Sequence, residues 1–272
     1  MTKRKNVSLK VPLEQVDRVK ELLESEGLRE REVKNTLWSY EGDEVYMNMY
    51  PSGTLLIQGK GAEAWADRIL ERIEVPEGPL AGCDEVGKGD LFGPLVLCCA
   101  VVSPENFKKV LSISPKDSKS MKDDELLKRA EKLKKYVNRR CIVLMPERFN
   151  ELYREYGNIN RLMDDAYRKL VQSIVRDFKP VRVVIDRYSF RNPFQDMGVV
   201  DFLEKGERDV VVSVASMLAR AKFLEKLREL EDKYRLKLPK GASSEAKRLA
   251  QQLKIEDPEL ANALIKSSFN GG

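Results

Sequence analysis

The run over residues 81–94, AGCDEVGKGDLFGP, ends an apolar strand on two adjacent carboxylates, Asp84 and Glu85, and then turns at once through Gly87-Lys88-Gly89. Any fold of this chain has to place both acids. Two like charges about 4 Å apart repel by roughly 1 kcal/mol in water and about 4 kcal/mol at an effective dielectric near 20, so gathering them calls for neutralisation, usually by a divalent cation. Neighbours on a regular strand point to opposite faces, so the pair serves one site only if the backbone bends. Gly87 and Gly89 permit such a bend and leave amides bare for sugar or phosphate oxygens. Residues 82–88 also fit the first seven positions of a phosphate-binding P-loop. The eighth argues against it: Gly89 has no hydroxyl for magnesium, and Asp84 with Glu85 would put two negative charges into a cradle meant for phosphate.

Composition narrows the chemistry. The 272 residues contain no histidine, which excludes Ser-His-Asp and Cys-His catalysis, imidazole zinc sites and the paired-histidine route to RNA cleavage. Carboxylates, lysines, hydroxyls and bound metal remain. The longest apolar run, residues 94–102, is about half of the ~20 residues a membrane span requires, and the basic amino terminus lacks an apolar signal region. A soluble globular protein with no membrane partner is expected. Cys83, Cys98, Cys99 and Cys141 have no C-x-x-C spacing and read as reduced and mostly buried, which implies a cytoplasmic location. The net charge of +5 is uneven: residues 1–77 carry 12 Lys+Arg against 15 Asp+Glu, a net −3, which leaves +8 on the remainder. That excess suits a polyanionic partner.

Residues 75–79, VPEGP, form the expected domain boundary, near residue 77. Before it, a strand over residues 6–11 leads into a helix opened by Pro12, with Val16, Val19 and Leu23 on one face and Gly27 as its stop. Strands over 44–50 and 54–58 flank a Pro51-Ser52-Gly53 hairpin, and a helix over 62–73 returns along the sheet. Tyr46, Tyr50 and Leu56 either line an open sheet face or pack in the core. After the boundary, strands are expected over 80–86, 95–103, 139–145 and 181–186, with an ambiguous 210–215, and helices over 122–136, 160–177 and 215–234. The fold class is α/β, with antiparallel early strands. Asp186 closes the strand over 181–186 and faces the carboxyl end of its sheet.

Taken in order, several separated motifs resemble one family. They are Asp84-Glu85-Val86-Gly87-Lys88-Gly89-Asp90 with Phe92-Gly93-Pro94; Lys116-Asp117-Ser118-Lys119; Phe149-Asn150 and Asn158-Ile159-Asn160; Asp186; Val214-Ala215-Ser216-Met217-Leu218-Ala219-Arg220; and Leu238-Pro239-Lys240-Gly241-Ala242. Together the chain resembles ribonuclease HIII, the bacterial type 2 ribonuclease H with an extra amino-terminal domain. Tyr50-Pro51-Ser52-Gly53 with Gln58-Gly59 is similar to that family's amino-terminal module.

The resemblance implies a ribonuclease H-like mixed sheet flanked by helices over residues 78–272. It also implies a small α+β substrate-binding domain over residues 1–77, resembling half of TATA-binding protein. It implies an endoribonuclease that hydrolyses the RNA strand of RNA–DNA hybrids through two metal ions, Mg²⁺ or Mn²⁺, leaving 5′-phosphate and 3′-hydroxyl ends. Asp84, Glu85 and Asp186 are the expected metal ligands, with Glu225 as a fourth acid and Asp209 and Glu207 as competitors for that part. Gly87, Lys88, Gly89 and Ser216 are expected at the ribose 2′-hydroxyls, and Lys88, Lys119, Arg220 and Lys240 at the phosphates. No obligatory protein partner is implied. A nucleic-acid-binding protein with structural acids and a P-loop nucleotide binder are the alternatives.

Overall fold

Side chains along the strands of the first sheet turn to its two faces in alternation. In β5 (Thr54–Gly59), Leu55 and Ile57 enter the core while Leu56 and Gln58 stay partly open. The sheet is antiparallel throughout, in the order β1-β5-β4-β3-β2, where β1 is Asn6–Lys10, β2 Arg29–Glu30, β3 Trp38–Gly42 and β4 Val45–Met49. Helices α1 (Val16–Ser25) and α2 (Ala62–Arg72) cover one face, α1 burying Val16, Val19 and Leu23. Tyr46 stands exposed on the opposite face, with the Arg31 guanidinium 5.0 Å above its ring. The computed structural model describes residues 6–115 and 121–266, so Lys116-Asp117-Ser118-Lys119, including the expected phosphate contact Lys119, lies outside the described residues.

The second sheet is mixed, in the order β10-β9-β6-β7-β8. Its antiparallel part joins β6 (Leu80–Val86), β7 (Leu95–Val102) and β8 (Asn138–Leu144), and its parallel part joins β6, β9 (Arg182–Asp186) and β10 (Val200–Leu203). The described helices of this part are α3 (Pro104–Ile113), α4 (Asp123–Leu133), α5 (Pro146–Tyr156), α6 (Ile159–Phe178), α7 (Val210–Tyr234), α8 (Ser244–Glu256) and α9 (Pro258–Leu264). Helix α7 packs on one face of the sheet and α6 on the other, each against its own apolar cluster. A second strand, β7, follows the Gly-Lys-Gly turn. A P-loop needs a helix there, so the topology removes that alternative.

Two expectations change. The ambiguous run at 210–215 is the first turn and a half of α7. An all-apolar run carries no period that separates a strand from a buried helix, and Asp209 settles it locally by capping the helix, its Oδ1 accepting from Val211 N at 3.0 Å. Gly82 lets this helix lie on β6: a Cβ there would come 2.2 Å from the Val211 carbonyl carbon. The cysteines are not reduced. Register sets Cys83 opposite Cys99 and Cys98 opposite Cys141, and each pair is a disulfide, one on either face of the sheet. Cysteine count therefore says nothing here about compartment. The sheet changes near residue 77, and packing is continuous across that change. One apolar cluster runs from Leu9 through Phe107 to Val210, and buried Lys10 donates to Ser52 O at 2.7 Å and, across to α7, to Ser213 Oγ at 2.9 Å.

No helix among the described residues is long and apolar enough to cross a membrane.

Candidate active site

Cys83 and Ile185 are paired in register on the adjacent parallel strands β6 and β9, and the next residue on each strand is an acid. Asp84 and Asp186 thus stand side by side at the carboxyl end of the sheet, where a ligand meets an open α/β sheet. Alternation sends Cys83 into the α6-side core, so Asp84 turns to the α7 side, where it accepts from the Ser216 hydroxyl. Its Oδ1 also accepts from Glu85 N at 2.8 Å. Glu85 goes the other way: Tyr167 OH on α6 donates to its Oε2 at 2.6 Å. The conflict between strand geometry and a shared site is resolved without a distorted strand, since the acids leave opposite faces at the strand's end and both line the same cavity. Burial first, then the Glu85 charge and less strongly Asp186, push the Asp84 carboxyl well above its ordinary range, against the opposing bonds from Ser216 and the Glu85 amide.

The cavity holds about 490 Å³ and is lined by Asp84 through Asp90, by Ser216, Arg220, Phe223 and Leu224 of α7, and by Lys240. Gly87 closes its turn at φ +97°, with Pro94 O only 2.1 Å from where a Cβ would sit, so no other residue fits there. Gly89 is exposed on the same loop. Two other segments clamp the loop from behind. Asp90 Oδ1 accepts from Gly241 N at 2.6 Å, and Leu91 O accepts from Lys266 N at 3.0 Å. Lys88 bends toward the α6 side, its Nζ on Tyr188 O at 3.1 Å and Asn160 Oδ1 at 3.3 Å. The Asn158-Ile159-Asn160 motif thereby divides its work: Asn158 caps α6 and Asn160 holds the loop lysine.

The structure does not bring Glu225 to this cavity. It follows Ser216 by nine residues, two and a half turns at 3.6 residues per turn, and so occupies the opposite side of α7. There Lys222 Nζ donates to its Oε1 at 2.6 Å, and that bond chiefly holds its pKa below the ordinary range. Of its competitors, Asp209 is the α7 cap and an ion-pair partner of Arg182 at 3.2 Å, and Glu207 lies in the short turn Gly206–Arg208. Tyr167 escaped the sequence reading. On an amphipathic helix it is indistinguishable from a core aromatic, and only the 82-residue contact to Glu85 reveals it.

The donor set is all oxygen and suits a hard cation such as Mg²⁺ or Mn²⁺. Among the described residues, no three His, Cys, Asp or Glu side chains already converge as a cage, because Asp84 and Glu85 diverge. What speaks for an ion is electrostatic: Asp84 sits desolvated between two other acids.

The ribonuclease HII family profile matches residues 81–270. Ribonuclease HIII of Aquifex aeolicus is 40% identical over 97% of this chain and 99% of its own length. The chain belongs to the ribonuclease HIII family. A family member from Chlamydia abortus is 30% identical over 92% of this chain and 91% of its own. The crystal structure of Aquifex aeolicus RNase H3 superposes with a TM-score of 0.64 at 38% identity, covering 97% of this chain and all of that one. The family fold is also seen in Bst-RNase HIII in complex with Mn²⁺, at a TM-score of 0.66, 24% identity and coverage of 98% and 96%. The mixed sheet with helices on both faces is that fold.

Proposed function

We propose that this chain is an endoribonuclease that hydrolyses the RNA strand of RNA–DNA hybrids, with Asp84, Glu85 and Asp186 holding two divalent ions. The observation that carries the reading is that Asp84 and Asp186 directly follow the last paired residues, Cys83 and Ile185, of two adjacent strands, beside a cavity walled by the Gly-Lys-Gly loop and two cations. Bound Mg²⁺ or Mn²⁺ would supply the Lewis acidity for in-line hydrolysis of the phosphodiester, which releases 5′-phosphate and 3′-hydroxyl ends. The chain's own residues bind and orient. Backbone amides of the 87–89 loop and the Ser216 hydroxyl offer donors and acceptors to a ribose 2′-hydroxyl, and Arg220 and Lys240 face the strand's phosphates. Glu225 has no part in this arrangement. The exposed sheet face carrying Tyr46 is the proposed grip of the amino-terminal unit on the duplex, by local contact rather than bulk charge, since that segment is net acidic. A cytoplasmic setting goes with an intracellular nucleic-acid substrate.

The test is cleavage of an end-labelled hybrid in Mg²⁺ and in Mn²⁺. Wild type is expected to cut the RNA strand, and Asp186→Asn to lose on the order of 10³-fold or more. Undiminished cutting by folded Asp186→Asn would refute the assignment.

Tyr167→Phe isolates the orienting bond to Glu85. Removing a partner that aims a ligand typically costs 10–100-fold in metal affinity, so Mn²⁺ binding measured by calorimetry is expected to weaken by about that factor. The far-ultraviolet spectrum should stay unchanged, because the ring and its 5.2 Å stack on Tyr188 remain.

A further inference from the structure

Asp123 begins α4, and its two carboxylate oxygens are taken by two cations from different parts of the chain. Arg220 Nη2 of α7 lies 2.9 Å from Oδ1, and Lys240 Nζ, from the loop after α7, lies 2.5 Å from Oδ2. The contacts span 97 and 117 residues of sequence. Asp123 is about a quarter exposed, Arg220 less and Lys240 about half. Burial alone would raise the Asp123 pKa, yet the bonds from Lys240 and Arg220 outweigh it and hold the carboxyl below its ordinary range, so the group is an anion at neutral pH. Arg220 and Lys240 both line the cavity that Asp84 and Glu85 line, whereas Asp123 does not. The carboxylate therefore holds the two cations from behind. Both cations, held by Asp123, bring their charge to the wall of the cavity.

We infer that Asp123 is a positioning residue: it fixes Arg220 and Lys240 side by side as a preformed two-cation subsite for one backbone phosphate diester of the substrate. The inference rests on the nucleic-acid reading above and adds to it the residue that shapes this wall of the cleft. A long lysine on a loop and an arginine on a helix have no local reason to converge, and their mutual repulsion opposes it. With Asp123 between them, the ordering cost is met before substrate arrives.

The sign of the effect separates positioning from simple electrostatics. Asp123→Ala removes a negative charge from the edge of a polyanion-binding cleft, so on net charge alone hybrid binding should tighten and its salt dependence steepen. Positioning demands the reverse. Binding of a hybrid duplex without divalent ions, followed across a salt series, is expected to weaken about 5- to 20-fold at low salt, with a log–log slope shallower by up to about one phosphate contact, ~0.9. In steady state with Mg²⁺, KM should rise by a similar factor while kcat changes less than about twofold. Asp123→Asn, which keeps one acceptor, should recover part of the loss and serves where the alanine variant fails to fold. In an Arg220→Gln, Lys240→Gln background, Asp123→Ala should have no further effect. Tighter binding, an unchanged slope, or an equal loss in that background would each overturn the inference. Wild-type protein that neither binds nor cuts hybrid would instead refute the nuclease reading.

Discussion

Asp84→Asn is expected to abolish hybrid cleavage and, in metal-free protein at neutral pH, to make the fold more stable. The two effects have one cause. Asp84 is desolvated and lies against the charges of Glu85 and Asp186, so its carboxyl is pushed well above its ordinary range. A group whose folded pKa lies above its unfolded value binds more protons in the folded state. Its contribution to stability therefore falls as pH rises through the unfolded value and stays unfavourable at neutrality. Asparagine keeps the shape and one acceptor for Ser216 or the Glu85 amide, and it carries no charge. The gain should be on the order of 1–3 kcal/mol, which for a chain of this size raises the melting temperature by roughly 3–8 °C. Differential scanning calorimetry in EDTA at pH 7 measures it. The gap should narrow toward pH 4 and close below it, as the carboxyl becomes protonated in the unfolded state as well, and should narrow on saturation with Mn²⁺, since ligation would supply the missing positive charge to wild type. A variant less stable than wild type in EDTA would mean that the hydrogen bonds to Asp84 outweigh the repulsion, and that the acids are not held in tension for an ion. Cleavage should fall by about 10³-fold or more, because one of the three proposed anionic ligands is lost.

Much of this site was legible because its parts are local. Apolar runs bounded by turn residues marked β6, β7, β8 and β9, and the acids at two strand ends followed from those boundaries. What stayed hidden depends on contacts the pattern does not encode. The burial of Val210 through Ala219 on nearly every side erased the periodicity that would have separated helix from strand. The ties from Tyr167 to Glu85 and from Asp123 to its two cations join residues that are distant in sequence and ordinary in their own segments. Glu225 is the instructive case. Once α7 begins at Val210 and Ser216 faces Asp84, helical rotation alone assigns residue 225 to the far side. Motif spacing without a phase could not supply that. Disulfide pairing likewise required the cross-strand register that sets cysteine opposite cysteine.

Lys266→Met is expected to remove most of the pH dependence of stability between pH 7 and pH 9.5. Lys266 is fully buried at the end of the described chain, its Nζ donating to Gly93 O at 2.6 Å and Phe92 O at 3.4 Å, directly behind the 87–90 loop. Burial lowers its pKa to about 7, against a weaker opposing pull from Asp90. An unfolded lysine titrates near 10.4. Between these values the unfolded chain binds the extra proton and the folded chain does not, so stability rises with pH across that window. At 1.36 kcal/mol per unit the wild type should gain roughly 3 kcal/mol from pH 7 to pH 9.5 through this residue alone. Urea unfolding of both proteins at a series of pH values isolates the effect, because tyrosines and other groups titrate alike in each and cancel in the difference. Methionine fills similar volume but leaves two carbonyls without a donor, at about 1–3 kcal/mol for a buried group. The variant should therefore be close to wild type or slightly more stable at pH 7 and clearly less stable at pH 9.5. Parallel slopes would place an ordinary, hydrated ammonium at this position. Converging the other way, with the variant gaining on wild type as pH rises, would require a lysine stabilised by charge. A crossing in the expected direction identifies the amine as a neutral donor at high pH that splints the Phe92-Gly93 backbone, and so ties the carboxyl-terminal segment to the loop beside Asp84 and Glu85.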